Sequence, residues 1–337
     1  MSTKMIIKNQ QQALSEVDSA GSQNMLEKKK RSRKKQPPKG GRWTIVALFG
    51  LTLLAIASFY LQSEIPVFWH KLTSPLVITS EKTPKETFDP SLVLNSVEAL
   101  TKEMRGEYGF YVYRFADQKQ YGLKQDEVFP SASLMKLPVM LCFYQEVEKG
   151  NLSPETKYVL KEQDKVLGAG ILQGKNSGTS YTYRQLVEYM GHYSDNTAFK
   201  VMRGILGDEK IQKTINALGM AKTSLEEFET TPHDVGIFFQ KLYQGKILNE
   251  EHRQELLGFL TKTVFEDWLP KGLPENIKIA HKIGKDLGTF SDGGIVLSNK
   301  PYVIVVMSKN ARELEANEVL PKISGLVWEW ENSQTSL

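Results

Sequence analysis

The chain of 337 residues contains one cysteine, Cys142. A lone thiol cannot close an internal disulfide, so no cross-link within the chain holds the fold. Cys142 lies in the apolar string Leu137-Pro138-Val139-Met140-Leu141-Cys142-Phe143, which marks it as a buried, inert side chain. Zinc-ligand spacing of Cys and His is missing, and so is a glycine-rich nucleotide loop; no metal and no other cofactor is expected. No internal repeat is visible. Charge of either sign is absent from Trp43 to Leu61. A helix of about 20 such apolar residues crosses a bilayer.

Aromatic residues are absent from the basic stretch before that run, Lys28 to Lys35. Without interleaved aromatics, or a fold to present it, the stretch does not read as a nucleic-acid site. Met1 to Arg42 holds eleven Lys and Arg against three Asp and Glu, a net +8, whereas the whole chain is at +4. The body therefore carries −4, and the basic character belongs to the tail. The positive-inside rule keeps such a tail cytoplasmic. The expected organisation is a disordered cytoplasmic tail (1–42), one transmembrane helix (43–61) and a stalk bearing Pro66, Pro75 and Pro84 (62–89). A globular domain outside the cytoplasm follows (90–337). A cleaved signal peptide competes with the anchor, because Ala55-Ile56-Ala57 has the small-x-small form of a cleavage site. The long leader, and apolar residues continuing past Ala57, favour the uncleaved anchor.

Within the body, Leu92, Val93, Val97, Leu100 and Met104 have helical spacing over Ser91 to Arg105. Tyr108 to Phe115 reads as a strand, with Gln120 to Val128 as its partner. From Leu134 to about Leu242 the pattern is mostly helical. Strands return at Ile277–Ile283, Gly294–Leu297 and Tyr302–Met307, the last two joined by a Ser298–Pro301 hairpin loop. Glu313 to Trp330 is an amphipathic helix that Pro321 should kink or interrupt. Strands at both ends with helices between give an α+β fold, an antiparallel sheet flanked by helices with a helical subdomain.

Three strings carry the chemistry. Ser133-Leu134-Met135-Lys136 places a serine and a lysine at i and i+3, which share a face of a helix. A serine needs a nearby base, and lysine serves when its pKa falls. Alone the pattern is weak: a second copy, Ser32 to Lys35, is a by-product of lysine density in the tail, and Ser133 could simply open a helix. Ser194-Asp195-Asn196 pairs a hydroxyl with an amide, yet all three are ordinary helix caps. Lys282-Ile283-Gly284 gives a strand lysine before a glycine. The flanking text includes Phe129-Pro130-Ser131-Ala132 and Tyr302-Val303-Ile304-Val305-Val306-Met307.

In order and spacing, these strings resemble the active site of the penicillin-recognising serine hydrolases, most closely the class A β-lactamases, over roughly Ser91 to Asn332. That resemblance implies Ser133 as nucleophile, Lys136 as base, and Ser194 as proton relay to the leaving group. Asn196 would hold the substrate amide while Asp195 braces its loop. Lys282 would attract a substrate carboxylate and help tune Lys136. Gly284 would let substrate lie against the strand edge, and the backbone N–H groups of Ser133 and Lys285 would form the oxyanion hole.

Two departures bear on substrate and turnover. Ile283 stands where the family has threonine, whose hydroxyl helps bind the β-lactam carboxylate. The stretch between Gly219 and Thr230 lacks the family's Glu-x-x-Leu-Asn string, whose glutamate activates the deacylating water. Glu226, Glu227 and Glu229 are present there but match no motif, and read as solvated loop charges. His233 reads as structural beside the Thr231 N-cap and Pro232. His281 should face away from Lys282. The implied substrate is a small-molecule or peptide amide, a β-lactam or a cell-wall peptide, opened through an acyl-serine. The alternatives are a penicillin-binding protein-like peptidase or esterase with slow deacylation, and a weakly catalytic wall- or partner-binding ectodomain.

Overall fold

The computed structural model describes residues 49–59, 88–261 and 263–333. Two units are distinguished, residues 1–85 and 86–337. In the first, residues 49–59 form helix α1, exposed along its length. Among the described residues no helix is long and apolar enough to cross a membrane. The rest of the 43–61 run, the basic tail, and the stalk as far as residue 87 lie outside the described residues.

The second unit opens with α2 (Ser91–Lys102), β1 (Glu107–Arg114), β2 (Gln120–Leu123) and β3 (Phe129–Pro130). A 3-10 turn (Ala132–Met135) then leads into α3 (Lys136–Glu148). The helical half holds β4 (Lys157–Val159), β5 (Ser180–Thr182), α4 (Tyr183–His192), α5 (Asn196–Leu206), α6 (Asp208–Leu218), β6 (Glu229–Thr230), α7 (Pro232–Tyr243) and α8 (Glu250–Thr261). The chain closes with β7 (Lys278–Asp286), β8 (Thr289–Leu297), β9 (Tyr302–Lys309) and α9 (Glu313–Ser333). The main sheet is antiparallel with order β2-β1-β9-β8-β7, so β7 is an edge strand. The α+β arrangement expected from the sequence is the one found.

Period-two alternation splits the sheet's side chains between two cores. Val303, Val305 and Met307 of β9 face the helical half, together with Tyr111 and Tyr113 of β1. Ile304 and Val306 face the layer of α2 and α9, with Phe110 and Val112. Helix α3 is apolar nearly all round and runs through the first core, with Leu137 to Tyr144 all buried. It therefore fixes the turn that precedes it.

Four local expectations are corrected. β2 ends at Leu123 because Lys124 takes a left-handed φ of 48° and turns the chain. A small β4–β5 hairpin interrupts the helical half. Helix α9 runs unbroken through Pro321, since Val319, Leu320, Ile323 and Val327 pack into the second core on both sides of it. β8 begins at Thr289, five residues earlier than its apolar pattern shows. The polar residues that hide its start are buried, and Asp292 is paired: its Oδ1 accepts from His281 Nδ1 (2.9 Å), and its Oδ2 accepts from Leu269 N (3.1 Å). Asp292→Ala would leave a buried imidazole and a buried N–H without their acceptor. A loss of about 3 kcal/mol is expected in urea unfolding, the scale of breaking a buried charged hydrogen-bonded pair.

Candidate active site

Ser133 sits on the 3-10 turn rather than on a regular α-helix, and Lys136 is the first residue of α3. The tighter turn brings i and i+3 nearly into register. Lys136 Nζ donates to Ser133 Oγ at 2.6 Å and to Asn196 Oδ1 at 2.9 Å. Across the site, Lys282 Nζ donates to Ser194 Oγ at 2.7 Å and to the Ile283 carbonyl at 3.0 Å. The residues separated by up to 149 positions in the sequence thus form two lysine–serine pairs in one site.

Each lysine is buried, Lys136 to 3% and Lys282 to 1% exposure. Burial pushes the Lys136 amine down to about 8, with the charge of Asp195 opposing. Burial also holds the Lys282 amine well below its ordinary range; the charge of Lys136 adds to this and Asp292 opposes it. Desolvation is the first cause at both lysines, and the charges of the two amines disfavour one another. A neutral Lys136 could accept the Ser133 proton along the hydrogen bond through which its charged form donates.

Asp195 holds the loop between α4 and α5. Its Oδ1 caps α5 through Ala198 N (2.9 Å), while its Oδ2 accepts from Ile171 N (2.6 Å) and Leu172 N (2.8 Å). The fit is close enough that a Cβ on Gly170, at φ 111°, would lie 2.3 Å from the carboxylate. This loop also fixes Asn196, whose Nδ2 donates to Leu167 O at 3.2 Å. Left-handed backbone at Ala132 (φ 43°), Ser194 (φ 52°) and Phe228 (φ 54°) surrounds the site, with Ser131 N bonded to Phe228 O at 2.7 Å. Non-glycine residues persist in such conformations only where their surroundings enforce them.

A cavity of about 370 Å³ opens over Ser133, Lys136 and Asn196. Its walls include Leu167, Phe199, Phe228 and Asp286, none of which the sequence motifs singled out. Phe199 lies under the Lys136 amine (5.4 Å to the ring centroid) and meets Phe228 edge-on (6.1 Å). Glu226, Glu227 and Glu229 are exposed, and Phe228 is the residue of their segment that lines the cavity. Gly284 faces inward: a Cβ there would meet Ser131 O at 3.0 Å and Leu134 Cγ at 3.2 Å. Its smallness brings β7 against the Ser133 turn. Lys285 lines the cavity and pairs with Glu313 (2.5 Å). Ile283 projects from the opposite face into the second core. His233 bonds to Asp126 (2.9 Å) and stacks by Tyr111, away from the two lysine–serine pairs.

A model of the β-lactamase enzyme family matches residues 93–330. The chain is 25% identical over 264 residues to β-lactamase VEB-1 of Pseudomonas aeruginosa, covering 69% of this chain and 88% of that protein. Among solved structures, PBP-A superposes with a TM-score of 0.68 at 25% identity, covering 72% of this chain and 97% of PBP-A. A β-lactamase from Sphaerobacter thermophilus shares the fold with a TM-score of 0.68 at 24% identity, covering 74% of this chain and all of that one. Replacing Asp195 by Ala would strand three backbone N–H groups at once. A loss of about 3 kcal/mol is expected in chemical unfolding, because each buried unsatisfied group is penalised by roughly 1–3 kcal/mol and the exposed part of the loop can rehydrate.

Proposed function

The chain belongs to the β-lactamase enzyme family, and on that premise we propose that it is a Ser133 hydrolase that acylates readily and deacylates slowly, in the manner of a penicillin-binding protein. The observation that carries this reading is the 2.6 Å contact of Lys136 with Ser133 in a cavity whose far wall is Phe228. Neutral Lys136 takes the Ser133 proton as Oγ attacks the amide carbonyl, which the Asn196 side chain holds. The tetrahedral oxyanion sits between the backbone N–H groups of Ser133 and Lys285. As the C–N bond breaks, Ser194 gives its proton to the leaving nitrogen, and the proton that Lys136 took from Ser133 makes good the loss, so that the site carries the same number of protons before and after acylation. An acyl ester remains on Ser133.

Hydrolysis of that ester requires a water molecule that has lost a proton to a base. Phe228 offers none, and the neighbouring glutamates lie on the surface. A β-lactam or cell-wall peptide amide would therefore be opened and then held. The uncharged run 43–61 behind a +8 tail supports a single-pass anchor with residues 1–42 in the cytoplasm and the catalytic unit outside.

Intact-mass spectrometry of the purified full chain after brief and long exposure to a penicillin tests this reading, beside Ser133→Ala. The expected result is one adduct of drug mass that persists after free drug is removed and is missing in the variant. An adduct that clears while drug is consumed would mark an efficient β-lactamase instead. No adduct at all would remove Ser133 as the acylated residue.

A further inference from the structure

A larger cavity, of about 590 Å³, continues from the one over Ser133 along helix α5. Asn196 and Phe199 line both. Lys200, Arg203 and Gly204 extend the lining. These five residues stand at i, i+3, i+4, i+7 and i+8, one face of a helix, over about 12 Å of helix rise. The other face of α5, with Ala198, Val201 and Met202, is buried in the first core. Ser194 and Lys282, the pair beside the leaving group, line neither cavity. The groove instead starts beside Lys136, whose Nζ donates to Asn196 Oδ1 and lies 5.4 Å from the Phe199 ring centroid.

Two features keep this face open. The segment between α6 and β6 meets it through Phe228, whose ring packs edge-on to Phe199 and lies 5.3 Å from the Arg203 guanidinium carbon. That guanidinium donates to both carboxylate oxygens of Asp208, at 2.6 and 2.7 Å, so Arg203 is a fixed wall with its charge answered. Gly204 is the second feature. Glycine is disfavoured inside a helix, yet a Cβ on Gly204 would meet nothing within 4 Å. Close packing does not demand glycine there; its missing side chain leaves room in the groove. Gly207, in the same lining, differs, because its φ of 81° favours glycine.

Lys200 gives the groove its charge. Its amine donates to the Gln163 carbonyl at 2.6 Å, and no described carboxylate pairs with it. Arg203 and Asp208 cancel, so the described lining carries one net positive charge. Val166, Phe199 and the stems of Lys200 and Arg203 supply apolar surface beside it. We infer that this groove receives the acyl half of the substrate, and that the preferred acyl group is an extended one, apolar along its length and ending in a carboxylate. The inference rests on Ser133 being the acylated residue and adds the chemistry of the group it retains.

Three esters of 3-hydroxybenzamide test it, formed with N-acetylglycine, N-suberamoylglycine and N-suberoylglycine. The second adds length and ends in an amide; the third has the same length and ends in a carboxylate. With each, Ser133 Oγ takes the acyl group, the ester C–O bond breaks, and the proton that Ser133 gave up is made good on the departing phenol. For the purified full chain, kcat/KM should rise about tenfold or more from acetyl to suberamoyl, the scale of added methylenes in an apolar site. It should rise about threefold further to suberoyl, the scale of an exposed ion pair. Added salt should shrink the second step and spare the first. Lys200→Gln should abolish the second step. Gly204→Leu, which fills the groove with a good helix former, should abolish the first. Absence of either step in the unaltered chain, or a length step that Gly204→Leu leaves intact, overturns the inference and leaves the acylation reading standing. So does failure of all three esters when a penicillin still marks Ser133. Failure of the esters and the penicillin together overturns the acylation reading itself.

Discussion

Two lysine amines are buried in one site, each hydrogen-bonded to a serine hydroxyl and neither to a carboxylate. An ammonium taken out of water without a paired anion is strongly disfavoured, and the group responds by giving up its proton. That response is the chemistry of the site. It brings the Lys136 amine from the ordinary lysine range down to about 8, the shift that the proposed role as a base for Ser133, without histidine, calls for. The acidic groups that temper the effect, Asp195 and Asp292, act from a distance and keep their hydrogen bonds for the backbone and for His281.

Keeping the amines dry is the task of the surrounding fold. Helix α3 is buried over nearly its whole length and carries Lys136 at its first residue. Gly284 lets β7 close against the Ser133 turn, and Asp195 ties down the loop that holds Asn196. Three left-handed residues, Ala132, Ser194 and Phe228, lie around the cavity. Phe199 and Phe228 complete the wall beside Lys136, and none of Glu226, Glu227 and Glu229 is among the residues lining the cavity.

Much of this was legible in the sequence, and the parts that were not share physical causes. The Ser133, Ser194 and Lys282 strings were readable because the pairing needs fixed local spacings. β1, β9 and α2 were readable because their side chains alternate or recur in a regular period. β8 was truncated because Ser291 and Asp292 are polar yet buried, and polarity normally signals exposure. Pro321 misled in the opposite direction, since tertiary packing carried α9 through it. Phe199 and Phe228 were invisible as site residues, because an aromatic residue in a helix or loop gives no sign of which cavity it lines.

The most direct measurement is a 13C NMR titration of the lysine side chains in the full chain, with Lys136 assigned from a Lys136→Arg variant. The account predicts that Lys136 titrates near 8, and that Lys282 also titrates well below the ordinary lysine value of about 10.4. Titration of Lys136 at that ordinary value would contradict it, for the fraction of neutral amine at neutral pH would then be more than about a hundredfold smaller than the account requires.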